Sequence, residues 1–102
     1  MTHRLAPSAC ADLDTIWDYL ARESRSEAIA DQQIDAITER FDLLASQPHI
    51  GRARDDDLGP GRRSFPVGQY VIVYRIVRGD VRILRVVHGR RDLEALFGDH
   101  DH

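Results

Sequence analysis

The chain has 102 residues and a mass of 11.6 kDa, which predicts one domain, residues 1–102, with a modest hydrophobic core. A hydrophobic share of 42% and a charged share of 30% exclude a disordered chain. No apolar run approaches the roughly 18 residues of a membrane span, and the N-terminus lacks a signal-peptide core. The single cysteine, Cys10, excludes an internal disulfide and a multi-cysteine zinc site. We therefore expect a cytoplasmic protein without a membrane partner.

The charges are divided unequally along the chain. All 14 basic residues are arginine, which by itself is typical of a biased genomic composition. Residues 1–51 carry a balance of −5, whereas residues 52–97 carry +4. This polarity predicts a basic face for an anionic partner, either a nucleic acid or an acidic protein segment.

The first half of the chain has the pattern of a short strand and two helices. Residues 3–6 fit an edge strand, and Pro7 suits the first turn of a helix over residues 8–23. Ser26 is a candidate N-cap for a second helix, which Gln47 and Pro48 end. Because the link between the helices is so short, we expect an antiparallel hairpin.

The second half has the pattern of three strands. A loop over residues 49–61 precedes predicted strands at residues 62–66, 69–77 and 81–88, with a tight reversal at residues 78–80. Residues 92–97 fit a last helical turn. The middle strand is apolar on both faces, which indicates that the second face of the sheet is at least partly covered. The predicted fold class is α+β, with a short N-terminal strand, an antiparallel helical hairpin, a three-stranded antiparallel β-meander and a short C-terminal helix.

The helical pattern places Cys10 on the apolar stripe of the first helix, as a buried hydrophobe rather than a nucleophile. The core between hairpin and sheet is predicted to contain Trp17, Ile34, Ile37, Phe41, Leu44, Ile72 and Tyr74.

No constellation for a metal or a cofactor stands out. His100 and His102 lie in a tail that we expect to fray, and no phosphate-binding glycine loop precedes a helix. The run Asp55–Asp57 lacks the interleaved spacing of a calcium loop, and we expect it to be solvated and paired in part with Arg52 and Arg54. We therefore expect neither a bound metal nor a cofactor.

The arginines of the second half are the strongest functional signal. They occur on the predicted strands and just after them, with His88 nearby: Arg62, Arg63, Arg75, Arg82, Arg85, Arg90 and Arg91. Adjacent strands lie about 4.8 Å apart, so several guanidinium groups can gather on one face and bind phosphate or carboxylate. The alternative, equally weighted on composition, is ordinary surface charge with salt bridges to Asp80, Asp92 and Glu94.

Three segments carry a family resemblance, and their order and spacing together are specific. The run PHIGRARDDDLGPGRRSFPVGQYVIVYRI, the following ILRVVHGRRDLEALF and the first helix ADLDTIWDYLARES resemble the ParE branch of the ParE/RelE toxin superfamily. The resemblance covers nearly all of residues 3–97. It implies the toxin of a type II toxin–antitoxin pair, neutralised by a ParD-like antitoxin whose C-terminal segment wraps the toxin.

A ParE-like toxin is expected to stall DNA gyrase without hydrolytic chemistry of its own, and to meet DNA only through the antitoxin or the gyrase complex. On this interpretation the chain is a binding protein and no residue is catalytic. The candidate target- or antitoxin-binding residues are Arg63, Arg75, Arg85, His88, Arg90 and Arg91.

The RelE branch of the same superfamily offers the alternative of a ribosome-dependent messenger-RNA endoribonuclease. In that case His88 would be the acid or base and Arg90 would stabilise the phosphate. The chain departs from that branch at Ser64, Val71, Leu96 and Phe97, where Lys, Arg and a C-terminal Tyr are common, and we therefore favour gyrase. A third possibility is a non-toxic module that only binds an antitoxin.

Overall fold

The computed structural model describes residues 2–89 and 92. In chain order the elements are β1 (His3–Leu5), α1 (Pro7–Ser24), α2 (Glu27–Ser46), a 3-10 turn (Pro48–Ile50), β2 (Arg52–Ala53), β3 (Arg62–Val67), β4 (Tyr70–Val77) and β5 (Asp80–His88). No helix in these residues is both long and apolar enough to cross a bilayer.

The strands form one mixed sheet in the order β1-β5-β4-β3-β2. β1 runs parallel to β5, and the other neighbours are antiparallel. The predicted α+β class, with its leading strand, helical hairpin and β-meander, is confirmed. The sequence did not predict β2, which is only two residues long. The predicted C-terminal helix lies outside the described residues, apart from Asp92.

Residues with specific helix-end preferences mark the start of the helical hairpin and its turn. Pro7 occupies the first turn of α1, where its missing N–H leaves no helical hydrogen bond unmade. Arg25 ends α1 in the left-handed conformation, with φ 56°. Ser26 caps α2, since its hydroxyl accepts the Ile29 N–H at 3.3 Å. Two residues therefore suffice to reverse the chain.

A bulge in β5 sets which of its side chains face the helices. Val73 pairs with Arg85 and the next residue, Tyr74, pairs with Ile83, so Leu84 is the extra residue. Without it, a strict alternation from Ile83 would turn Arg85 toward the core and Val86 away from it. The bulge thus keeps an arginine out of the hydrophobic core.

The core lies between the hairpin and one side of the sheet, which we call the helix-facing side. Its members include Ile37, Phe41 and Leu44 of α2 and Ile72, Tyr74 and Ile83 of the sheet, each at most 1% exposed. Five of the seven predicted core residues are thereby confirmed as buried.

Three predictions for the helices need correction. Ile34 is only partly buried against the core. Trp17 is half-buried outside it, and its indole N–H donates to Asp31 Oδ1 at 2.8 Å across the hairpin. The placement of Cys10 among buried residues is wrong, because it is exposed. Ala9 takes the buried position near the start of α1 instead, while Ile16 is buried and Leu13 and Leu20 pack against the core.

Candidate binding surfaces of the sheet

The side of the sheet opposite the helices, here the outer face, carries a row of four arginines. Arg4 of β1 pairs with Arg82 of β5, and Arg82 pairs with Arg75 of β4. Arg75 in turn pairs with Arg62 of β3. We call Arg4, Arg82, Arg75 and Arg62 the arginine row. With neighbouring strands about 4.8 Å apart, the row crosses four strands and spans roughly 14 Å.

The members of the arginine row are exposed and have few partners. Arg62 donates one hydrogen bond, from Nη1 to the Leu58 carbonyl at 2.9 Å. Within residues 2–89 and 92, the structure shows no hydrogen bond or ion pair from the side chains of Arg4, Arg75 or Arg82. Like charges directly opposite one another on neighbouring strands are destabilising. The row is therefore a concentration of positive charge in which, within the part of the chain that the structure describes, three of the four side chains have no hydrogen bond or ion pair.

Arg85 also belongs to the outer face, but it is engaged within the protein. Its Nε and Nη2 donate to the two carboxylate oxygens of Asp12 at 2.8 and 3.1 Å. The same carboxylate accepts the Val86 N–H at 2.9 Å. β1 pairs with β5 only as far as Ile83, so Asp12 satisfies a backbone donor that no strand reaches. This bidentate pair fastens α1 to the open edge of β5.

Arg63 has a structural environment as well. It is half-buried, and its Nη2 donates to the carbonyls of His49 and Gly51 at 3.0 and 2.7 Å. Its Nε is buried without a hydrogen-bond acceptor among the described residues. Arg63 therefore anchors the segment between α2 and β2.

His88 lies on the helix-facing side at the end of β5. It pairs with Tyr70, and the two rings meet edge to face with centroids 5.8 Å apart. Its backbone N–H donates to Asp92 Oδ2 at 3.2 Å. The sequence predicted an arginine group beside His88, whereas the structure places His88 and Arg75 on opposite sides of the sheet. Arg90 and Arg91 lie outside the described residues.

The acidic run of the long loop is built into the fold. Arg54 donates from Nε and Nη2 to Asp57 at 2.9–3.0 Å and from Nη1 to the Ser64 hydroxyl at 3.0 Å. This guanidinium holds the pKa of Asp57 below its usual value. Asp55 accepts the Gly61 N–H at 2.8 Å. The predicted partial pairing with Arg54 is thus confirmed.

The same loop covers part of the outer face. Leu58 and Val73 are nearly inaccessible to solvent and line one hollow together with Leu84. The expectation that the second face of the sheet is partly covered is met here by the chain itself. No cluster of three or more His, Cys, Asp or Glu side chains suited to a metal occurs in residues 2–89 and 92.

Sequence reasoning singled out Arg75, Arg62 and Arg82 as strand arginines, but it missed Arg4. The pairing register is what aligns all four. Arg4 lies nearly 80 residues before Arg82 and reaches it only through the parallel pairing of β1 with β5. The sequence did contain a signal for this pairing, because a strand followed by a helical connection tends to pair in parallel with a later strand of the same sheet.

Comparison with known proteins places the chain in a family. Residues 4–93 match the family model for the ParE toxin of the type II toxin–antitoxin system parDE. Toxin ParE3 of Caulobacter vibrioides is 37% identical over 87 residues, covering 85% of each chain. Toxin ParE1 of Mycobacterium tuberculosis is 33% identical over 91 residues, covering 88% of this chain and 91% of that one.

A solved structure has the same fold. The chromosomal ParDE toxin–antitoxin system from P. aeruginosa contains a chain that superposes with a TM-score of 0.74 at 23% identity, covering 86% of this chain and 95% of that chain. The family match extends over the helical hairpin, β2 to β5 and all of β1 except His3. The chain therefore belongs to the ParE toxin family of type II toxin–antitoxin systems.

Proposed function

We propose that this toxin acts by binding DNA gyrase rather than by cleaving RNA. The observation that carries the proposal is the separation of His88 from the arginine row. RNA cleavage needs an acid, a base and a phosphate-stabilising cation around one phosphodiester. His88 packs on Tyr70 on the helix-facing side, whereas the arginine row lies on the outer face.

The remainder of the outer face, beyond the arginine row, gives further support. Ser64 is buried and accepts a hydrogen bond from Arg54, and Val71 pairs with Val87. In the ribonuclease branch of the superfamily, Lys is common at the position of Ser64 and Arg at the position of Val71. A face with a charged row at one end and aliphatic residues at the other is suited to binding a protein.

We further propose that a ParD-like antitoxin neutralises the toxin with its C-terminal segment. The solved relative from P. aeruginosa is described as a ParDE system, which supports an antitoxin partner for this chain. DNA would be reached only through the antitoxin or the gyrase complex. Because both proposed partners act in the cytoplasm, we propose that location for this protein.

Among the candidate contact residues, Arg75 is the exposed one that the structure describes. The other candidates for contact with gyrase or the antitoxin are Arg63, Arg85, His88, Arg90 and Arg91; of these, Arg85 is paired with Asp12, and His88 is on the opposite side of the sheet from Arg75. Replacing Arg90 and Arg91 together with Ala should weaken growth arrest or antitoxin binding without unfolding the protein. Unchanged growth arrest together with unchanged antitoxin affinity would contradict their assignment.

Gyrase and the ribosome can be distinguished as targets in cells by whether DNA synthesis or protein synthesis falls first. The chain is expressed from an inducible promoter in a bacterial host, and incorporation of labelled thymidine and labelled amino acids is followed after induction. A gyrase poison should depress DNA synthesis before protein synthesis. The ribosome-dependent ribonuclease, our second candidate, would reverse that order, and its activity should fall on His88→Ala. A non-toxic antitoxin-binding module would change neither synthesis.

A further inference from the structure

We propose that the arginine row is a binding site for an extended acidic protein segment with carboxylates at alternate residues. This inference goes beyond the proposed function, because it assigns a ligand chemistry to the outer face and does not depend on the identity of the toxin's target. The strand pairing brings together Arg4 and Arg82, from distant parts of the chain, with Arg75 and Arg62 of the meander.

The dimensions of the row match such a segment. The backbones of the four arginines follow one another at about 4.8 Å across the strands, so the row spans roughly 14 Å at its base. An extended polypeptide advances about 3.3–3.6 Å per residue and presents every second side chain to the same side. Three carboxylates at alternate positions therefore also span roughly 14 Å. Each carboxylate then meets one or two guanidinium groups, whose planar N–H pairs suit its two oxygens.

The charges around the row leave it strongly positive. Asp80, at the hairpin end of β5, lines the same hollow as Arg4, Arg78 and Arg82, and its Oδ1 accepts the Thr2 N–H at 3.2 Å. Arg78 adds a further exposed cation there. Arg85 is already paired with Asp12. Among the described residues, the hollow around Arg4, Arg78 and Arg82 contains one carboxylate, that of Asp80, and an acidic ligand relieves the repulsion among these arginines.

Two observations favour a protein segment over a nucleic acid. The chain has a net charge of −3, and α2 presents a stripe of exposed acidic residues, namely Glu27, Asp31, Asp35, Glu39 and Asp42. The stripe belongs to the hairpin on the other side of the sheet, so it acts through the overall negative charge, which opposes a long polyanion, whereas a short segment responds mainly to charges within a Debye length of about 8 Å. The outer face of the described strands also presents no aromatic side chain on which bases could stack, since Phe65, Tyr70 and Tyr74 belong to the helix-facing side.

The test is peptide binding by the purified full chain, followed by fluorescence anisotropy at low salt. The probe is a labelled peptide in which three glutamates alternate with threonines, and the comparison peptide has the same composition with its glutamates contiguous. We expect the alternating peptide to bind several-fold more tightly. Added salt should weaken binding, because the contacts are exposed ion pairs.

A matched pair of variants assigns the binding to the row. The double variant Arg75→Gln/Arg82→Gln should bind the alternating peptide about tenfold more weakly, because two exposed ion pairs are lost. Arg22→Gln/Arg40→Gln removes the same charge from exposed positions on the helices and should change the affinity by less than about twofold. Circular dichroism checks that both variants remain folded.

Three results would overturn the proposal. One is equal weakening by both double variants, which would show only a general charge effect. Another is the absence of measurable binding at low salt. The third is tighter binding of a short DNA duplex than of the alternating peptide under the same conditions, which would make the row a nucleic-acid site. None of these assays involves gyrase or growth arrest, so their failure is distinguishable from failure of the proposed function.

Discussion

The hydroxyl of Tyr74 joins the sheet to the segment that follows α2, and its removal should be costly. The Tyr74 side chain is fully buried. Its hydroxyl donates to the Pro48 carbonyl at 2.7 Å and accepts the Gly51 N–H at 3.0 Å. Pro48 and Gly51 are themselves buried, so water cannot easily replace the missing oxygen.

Tyr74→Phe therefore leaves one buried donor and one buried acceptor unsatisfied. Each unsatisfied group costs about 1–3 kcal/mol, so we expect a loss of about 2–6 kcal/mol in the free energy of unfolding. That is a large share of the roughly 5–15 kcal/mol that stabilises a small domain. At about 4–8 °C per kcal/mol, the melting temperature should fall by at least about 8 °C.

The close approach of Gly51 to the same ring offers a second perturbation. A Cβ at this position would collide with the Tyr74 hydroxyl and lie 2.7–2.8 Å from two ring carbons. Gly51→Ala should therefore destabilise the protein as well, by about 1–3 kcal/mol, because the ring or the backbone must shift.

Urea unfolding, followed by circular dichroism and the fluorescence of Trp17, measures both changes. Thr38→Val is the control, since its hydroxyl makes only a solvent-accessible bond of 3.2 Å to the Asp35 carbonyl. It should stay within about 0.5 kcal/mol of the parent. A Tyr74→Phe variant as stable as Thr38→Val would refute the reasoning, because it would show that the buried groups find other partners.

Three further predictions concern the contacts that hold the hairpin and the long loop. Asp12→Ala should reduce stability by about 1–2 kcal/mol in urea unfolding, because the Val86 N–H loses its acceptor; a change below about 0.5 kcal/mol would contradict this role. Ser26→Ala should reduce it by about 1 kcal/mol through loss of the α2 cap, and an unchanged midpoint would show the cap to be ineffective. Because Arg54 lowers the pKa of Asp57 in the folded state, that carboxylate contributes stability above its unfolded pKa and loses it as the pH falls through the acid range. Acidification should consequently destabilise the parent more than Asp57→Asn, and parallel pH profiles of the two proteins would contradict the pair.

Much of the fold could be predicted because its signals are local. Pro7, Ser26 and Pro48 mark helix ends through their own backbone chemistry, and the β-branched run of β4 indicates a strand. Cys10 and Trp17 were misplaced because α1 touches both α2 and the edge of β5. The face that it buries is set by tertiary contacts, such as the Asp12–Arg85 pair, that helical periodicity alone does not reveal.

The candidate site was less predictable because it depends on register. Arginines could be assigned to strands, but the side of the sheet that each faces follows from pairing and from the bulge at Leu84. That bulge puts Arg85 on the outer face and Val86 in the core. Arg63 was expected at a binding surface, yet its partners are backbone carbonyls brought near by the turn after α2. Such partners carry no sequence signal.

The most direct test of the central claim is a gyrase supercoiling assay with the purified chain, ATP and relaxed plasmid, resolved on a gel that separates linear DNA. Chain without gyrase is the control for contaminating nuclease. The account predicts that supercoiling is lost and that linear plasmid accumulates only when gyrase is present. Unimpaired supercoiling by a chain shown to be folded would contradict gyrase as the target.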